Sequence, residues 1–77
     1  MKYEIAKIIN PTNNGELFWT GDGYSMYEFG ALLYDDLETA TLIISHLKSI
    51  DKLQGINEQR YRVNHILDNK IVGHTEV

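Results

Sequence analysis

The chain has no cysteine, so neither a disulfide scaffold nor a thiolate metal site is open to it. It has one proline, Pro11, and no apolar run approaching the length of a membrane span. Its start, Met1 to Lys7, carries Lys2 and Glu4 where a signal peptide would need an apolar core, which leaves a cytoplasmic protein without a membrane anchor as the expectation. Between Lys7 and Lys48 there is no lysine or arginine, while Glu16, Asp22, Glu28, Asp35, Asp36 and Glu38 all fall in that interval. An acidic middle is a poor surface for phosphate backbones and a suitable one for a basic protein patch. The simpler account is that solvated acids keep a small protein of net charge −4 dispersed.

What is present is enough for one domain. With 77 residues, 43% of them apolar, a single globular core is possible and a disordered tail is excluded. The clearest periodicity lies in Asp35 to Ile50, where Leu37, Ala40, Ile43, Ile44, Leu47 and Ile50 recur at spacings of three and four and predict the one long helix. Asp35 is placed to cap it and Glu38 to complete an acidic capping box, and the helix ends in Asp51 to Gly55, where Gly55 closes it or opens the next loop.

Strands flank this helix. Tyr3, Ile5, Lys7 and Ile9 share one face of a first strand, with Ala6 and Ile8 on the other. Asn10-Pro11 ends it, Asn13-Asn14-Gly15 turns, and Leu17-Phe18-Trp19 returns as a second strand. Residues 21–30 read as an ordered turn or single helical turn, its aromatics folded back on the sheet, and Ala31 to Tyr34 reads as a third strand. In the last third, Tyr61, Val63, His65 and Leu67 alternate with Arg60, Arg62, Asn64 and Ile66. Asp68-Asn69 then suits a two-residue hairpin turn, and Lys70 to Val77 returns. That turn pairs Ile66 with Ile71, His65 with Val72 and Val63 with His74. The expected fold is α+β, order ββ(β)αββ: a small antiparallel sheet of four to five strands with one helix packed on a face.

Three groupings bear on chemistry. His65 and His74 would be diagonal neighbours on one hairpin face, but no third ligand has a natural spacing, so no metal and no cofactor is expected. Gly21-Asp22-Gly23 lacks the lysine and the donors of a phosphate loop and reads as a tight turn. Asp35, Asp36 and Glu38 are explained largely by capping, and no nucleophile lies near them in sequence. No enzyme is expected.

Eight aromatic residues are many for so small a core. Tyrosine and tryptophan favour protein interfaces, so Trp19, Asp22, Tyr24, Tyr27 and Glu28 are the expected partner-binding residues, aromatic anchors with an acidic rim. Nucleic-acid or small-ligand binding through the aromatic sheet face with Arg60, Arg62 and Lys70 is the rival reading. A homodimer through an exposed final strand is expected as well.

The run Glu16-Leu-Phe-Trp-Thr-Gly-Asp-Gly, followed by Ala31-Leu-Leu-Tyr-Asp-Asp-Leu-Glu-Thr-Ala40, resembles small uncharacterised αβ proteins of phages and bacteria. Those run as a hairpin around a Tyr/Trp-x-Gly turn, then a segment of the type Ala-x-x-Tyr/Phe-x-Asp/Ser-x-Glu-x-Ala into a helix. The resemblance spans residues 3–47; where such proteins often carry tryptophan after the glycine turn, this chain has Tyr24 or Tyr27. It carries over no catalytic residue. It implies a phage or mobile-element protein that inhibits or modulates a host protein, of a defence or nucleic-acid-handling system, by covering a basic surface.

Overall fold

The computed structural model describes residues 1–10, 15–56 and 60–77. Strands β1 (Lys2–Asn10), β2 (Gly15–Trp19) and β3 (Tyr24–Ser25) precede a 3-10 turn at Glu28–Gly30 and the helix α1 (Leu37–Leu53). β4 (Arg60–Leu67) and β5 (Lys70–Glu76) follow. All neighbouring strands pair antiparallel in the order β3-β2-β1-β4-β5, and α1 packs on one face: the α+β fold expected from the sequence. The predicted loop at Pro11 to Asn14 lies outside the described residues.

The helix stripe forms the core. Ala40, Ile44 and Leu47 are buried against Ile5, Tyr61 and Val63, with Trp19, Tyr34 and Leu37 packed at the edge. The helix start differs from the predicted Asp35. Asp36, not Asp35, is the N-cap: its carboxylate accepts from the Thr39 amide at 2.7 Å and the Thr39 hydroxyl at 2.9 Å. Asp35 turns away to Lys2 at the start of β1, which holds its carboxyl below the usual range. At the other end the helix closes at Leu53, within the expected Asp51 to Gly55. Gly55 sits at φ +80°, and the Ile56 and Gly55 amides donate to the Asp51 and Lys52 carbonyls, a glycine-dependent closure.

Ile50 is accordingly exposed, and Asp51 takes its expected place on the buried face. A buried carboxylate needs a partner, and Lys7 of β1 supplies it at 3.2 Å. The Tyr61 hydroxyl donates to the other Asp51 oxygen and lies 3.0 Å from the Tyr24 hydroxyl, so the network runs from β1 through α1 and β4 to β3. Burial and the hydrogen bond to Asp51 hold the Tyr61 phenol strongly protonated.

Two strand expectations need correction. Ala31 to Tyr34 is no ladder strand: Leu32 donates to the Trp19 carbonyl, and Tyr34 exchanges both backbone bonds with Tyr3 in an isolated bridge. The short β3 comes earlier, paired through Phe18 with Ser25 and Trp19 with Tyr24. In the C-terminal hairpin, Asp68 and Asn69 adopt φ +52° and +62°, and Leu67 pairs with Lys70 and Ile66 with Ile71. A bulge at Val72 then moves the register by one, so His65 faces Gly73, Asn64 faces His74 and Val63 faces Thr75. Adjacent strand residues point to opposite faces, so His65 and His74 end on different sides of the sheet. His65 packs edge-on to Tyr3 and bonds Thr75, while His74 lies 3.5 Å from Glu76.

Candidate functional site

The same alternation assigns the second face of the sheet, opposite α1. Glu4, Ala6 and Asn64 lie on it, all buried, together with Phe18. Arg62 forms an ion pair with Glu16 across the same face. Beside this face runs the segment from Met26 to Leu33, and the local sequence explains why it holds its course.

After β2 the chain reverses at Thr20–Gly23. Gly21 takes φ +107°, the Thr20 hydroxyl donates to Asp22 at 2.8 Å, and the Thr20 amide donates to the Gly23 carbonyl at 2.9 Å. After β3, the Tyr27 amide donates to Ser25 Oγ at 3.0 Å, and the Gly30 and Ala31 amides donate to the Tyr27 and Glu28 carbonyls. Gly30 sits close to Ser25: a Cβ there would lie 3.2 Å from Ser25 Oγ, so the Ser25 side chain would have to give by a few tenths of an ångström. Leu32 and Tyr34 then tie the segment to β2 and β1. The strap is thus held by backbone bonds at both ends and by its own turn in the middle.

Its large apolar side chains are exposed. Phe29 is 90% exposed, Met26 70% and Tyr27 59%, and the Tyr27 and Phe29 rings stack with centroids 5.5 Å apart and planes 21° apart. Leu32 and Leu33 extend the apolar surface. The expectation that these aromatics fold back on the sheet is therefore met by Tyr24 alone, whose ring stands edge-on to Trp19 at 5.4 Å.

Under the strap lies a carboxyl pair. Glu4, only 2% exposed, accepts from Asn64 Nδ2 at 2.9 Å and lies within hydrogen-bond reach of the carboxyl of Glu28, itself an exposed residue. Burial above all, and then the bond to Glu28, push Glu4 up to about 7, while the Asn64 amide acts in the opposite direction. The pair opens into a cavity of about 300 Å³ walled by Phe29, Ala31, Leu33 and Ile66, with Asn69 beside them.

Of the five residues expected to bind a partner, the structure brings Tyr27 and Glu28 together on the strap and leaves Asp22 exposed in the preceding turn. Trp19 and Tyr24 belong to the α1 side: Trp19 is half-buried and donates its indole N–H to the Tyr34 hydroxyl at 3.1 Å. Sequence reasoning missed Met26, Phe29, Leu33 and Glu4 as contributors. Met26 and Phe29 sit in the 21–30 segment, where Tyr24, Met26, Tyr27 and Phe29 follow no regular spacing. Glu4, a charge inside a β-rich run with apolar residues on both faces, was a signal of the buried acid. Among the described residues no group of three or more His, Asp and Glu is arranged to hold a metal ion, and no helix is long and apolar enough to cross a membrane. No protein-family model, no curated protein and no solved structure matches the chain.

Proposed function

We propose that the chain is a non-enzymatic protein-binding module that docks through the strap, Met26 to Leu33, onto a partner offering an apolar groove edged by basic residues. The observation that carries this reading is the stacked, outward-facing Tyr27–Phe29 pair on a segment fixed by backbone bonds. Aromatic rings held in place supply contact area at little entropic cost. Asp22, Glu28, Asp36 and Glu38 lie in the cation-free interval around the strap in sequence, which favours a basic counterpart and fast, salt-sensitive association. The resemblance to small phage and bacterial proteins points to a host protein of a defence or nucleic-acid-handling system, with inhibition or modulation by occlusion as the consequence.

Two observations favour this reading over its rivals. Two of the three basic residues of the C-terminal hairpin that would hold a nucleic acid already face acids, Lys70 being the exception: Arg62 pairs with Glu16, and Arg60 lies 3.8 Å from Glu76. For a homodimer, β5 is an edge strand, but the bulge at Val72 interrupts the row of backbone groups that a second copy would need.

The test compares capture from the lysate of a candidate host by the wild type and by Phe29→Ser, with association rates for the purified partner measured at two salt concentrations. Phe29→Ser should leave the unfolding midpoint unchanged and raise the dissociation rate at least about tenfold, and Asp22→Lys should slow association. Equal capture by Phe29→Ser would remove the strap as the docking element. Micromolar binding of a labelled single-stranded oligonucleotide, lost on changing Arg60 and Arg62, would move function to the hairpin. A dimer mass in light scattering that persists in Phe29→Ser would favour the copy across β5.

A further inference from the structure

The buried charges on the two sides of the sheet are treated differently. On the α1 side Asp51 is neutralised by Lys7. On the strap side Arg62 is neutralised by Glu16, yet Glu4 faces only another carboxyl, Glu28, and the Asn64 amide. Among the described residues no ion pair reaches Glu4 or Glu28: Lys2 is held by Asp35, and His74, across the same face beside Asn64, lies against Glu76. Buried Glu4 and exposed Glu28 line one cavity, and a shared proton or a shared cation relieves the repulsion between their carboxyls. The cavity beside them has apolar walls of Phe29, Ala31, Leu33 and Ile66, and its 300 Å³ lies at the lower end of the range that holds small ligands.

We propose that this cavity binds a primary alkylammonium group, whose charged head takes the place of the shared proton between Glu4 and Glu28 while its methylene stem lies along Phe29, Leu33 and Ile66. The chemistry selects this class over others. Apolar walls cannot solvate the water shell that a magnesium ion keeps, and an anion would meet two acids. A lysine stem covers apolar surface while its head stays polar, and an aromatic face near the mouth adds attraction for the cation. Two sources fit: a lysine of a docked protein or a free aliphatic amine. The first rests on the proposed docking function; the pocket itself does not.

Binding displaces a proton wherever Glu4 holds one. The ammonium remains charged well above neutrality, so affinity should be level above pH 7 and fall about tenfold for each pH unit below it. The strap's Glu28, β4's Asn64 and Asn69 in the hairpin turn are the polar groups that face the site, and none of them supplies a positive charge.

The test is a titration of the full ¹⁵N-labelled chain with n-butylammonium chloride at pH 8 and pH 6, at constant ionic strength, followed by amide shifts. Saturable shifts in the millimolar range confined to Glu4, Glu28 to Leu33, Asn64, Ile66 and Asn69, weakened about tenfold at pH 6, are the expected result. Glu28→Gln should weaken binding at least about tenfold. Glu28→Lys supplies the ammonium from the chain itself and should abolish it while leaving the spectrum folded. Equal shifts with n-butanol would show an apolar slot without a cation site, and saturation by magnesium at lower concentration would show a metal site; either overturns the proposal. So does the absence of saturation at about 50 mM butylammonium at pH 8. A capped peptide carrying one lysine distinguishes the sources. Binding as tight as butylammonium assigns the pocket to a partner's lysine; binding of the free amine alone upholds the pocket and severs it from the docking face.

Discussion

Glu4→Gln is expected to remove a pH dependence of stability that the wild-type chain carries between about pH 4.5 and pH 7. In the folded chain the Glu4 carboxyl lies buried between Asn64 and Glu28 and titrates at about 7, against 4.5 when exposed. A carboxyl raised in this way binds its proton more tightly folded than unfolded. Its contribution is therefore complete below the unfolded value, is lost as pH climbs from 4.5 to 7, and is constant above that. The interval of about 2.5 units, at about 1.36 kcal/mol each, corresponds to about 3 kcal/mol. Against a total of about 5–15 kcal/mol, that is a large share for one side chain.

Glutamine keeps the shape and leaves an oxygen to accept from Asn64, while its amide group can donate to Glu28, so the pair becomes a neutral–charged contact with no proton to lose. Urea denaturation followed by Trp19 fluorescence, at one-unit steps from pH 5 to pH 8, should show the wild type weakening by about 3 kcal/mol relative to the variant. Every other ionisable group is common to both chains and cancels in the difference. At pH 8 Glu4→Gln should be the more stable protein. Parallel curves over this interval would mean that Glu4 is solvated or has found a cation, and the account of the carboxyl pair would be wrong.

Three further outcomes test the other face. Leu47→Ala, which empties a buried position of the α1 stripe, should cost on the order of 2–5 kcal/mol in urea denaturation; a cost under about 1 kcal/mol would mean the core lies elsewhere. Asp36→Ala should cost about 1 kcal/mol through loss of the Thr39 bonds, whereas Asp35→Ala should leave the midpoint unchanged, and the reverse order would return the cap to Asp35. Lys7→Met should cost about 3–5 kcal/mol at pH 7 by leaving Asp51 buried without its cation, and adding Asp51→Leu should recover most of the loss; additive costs would deny the pairing.

Periodicity made most of the fold legible. The recurrence from Leu37 to Leu47, the alternation from Arg60 to Leu67 and the left-handed tolerance of Asp68-Asn69 each have one physical solution, and the structure adopts it. The misses arise where two neighbouring residues satisfy the same rule. Asp35 and Asp36 both cap well, and the choice fell to Lys2, a residue 33 positions away that engages Asp35. Lys70 to Val77 alternates plausibly in either register, and a single bulge at Val72 sends His74 to the other face. Ile50 and Asp51 both fit the helix, but the helix presents Asp51 to Lys7, a pairing that hydropathy alone ranks last.

The candidate site was less legible because the strap has no period at all. Tyr24, Met26, Tyr27 and Phe29 match neither 2 nor 3.6, and without a period a sequence does not say which face a side chain takes. Here local turn chemistry decided, through the positive φ of Gly21 and the close approach of Gly30 to Ser25. The consequence is physical. A strap pinned by backbone bonds needs no burial of its own side chains to stay in place, so Phe29 can remain in water without loosening the fold. It also carries Glu28 to Glu4, where a cation would have relieved the repulsion as Lys7 does for Asp51. The sheet thus bears a stabilised charge on the α1 face and an unrelieved one on the strap face. A group that supplies the missing cation gains the energy that the folded chain alone forgoes above pH 7, and this ties the stability of the isolated protein to the affinity of the pocket. Conditions that weaken the fold through Glu4 are those in which an alkylammonium should bind best, and saturating butylammonium should restore at pH 8 a part of the stability that Glu4→Gln restores by substitution.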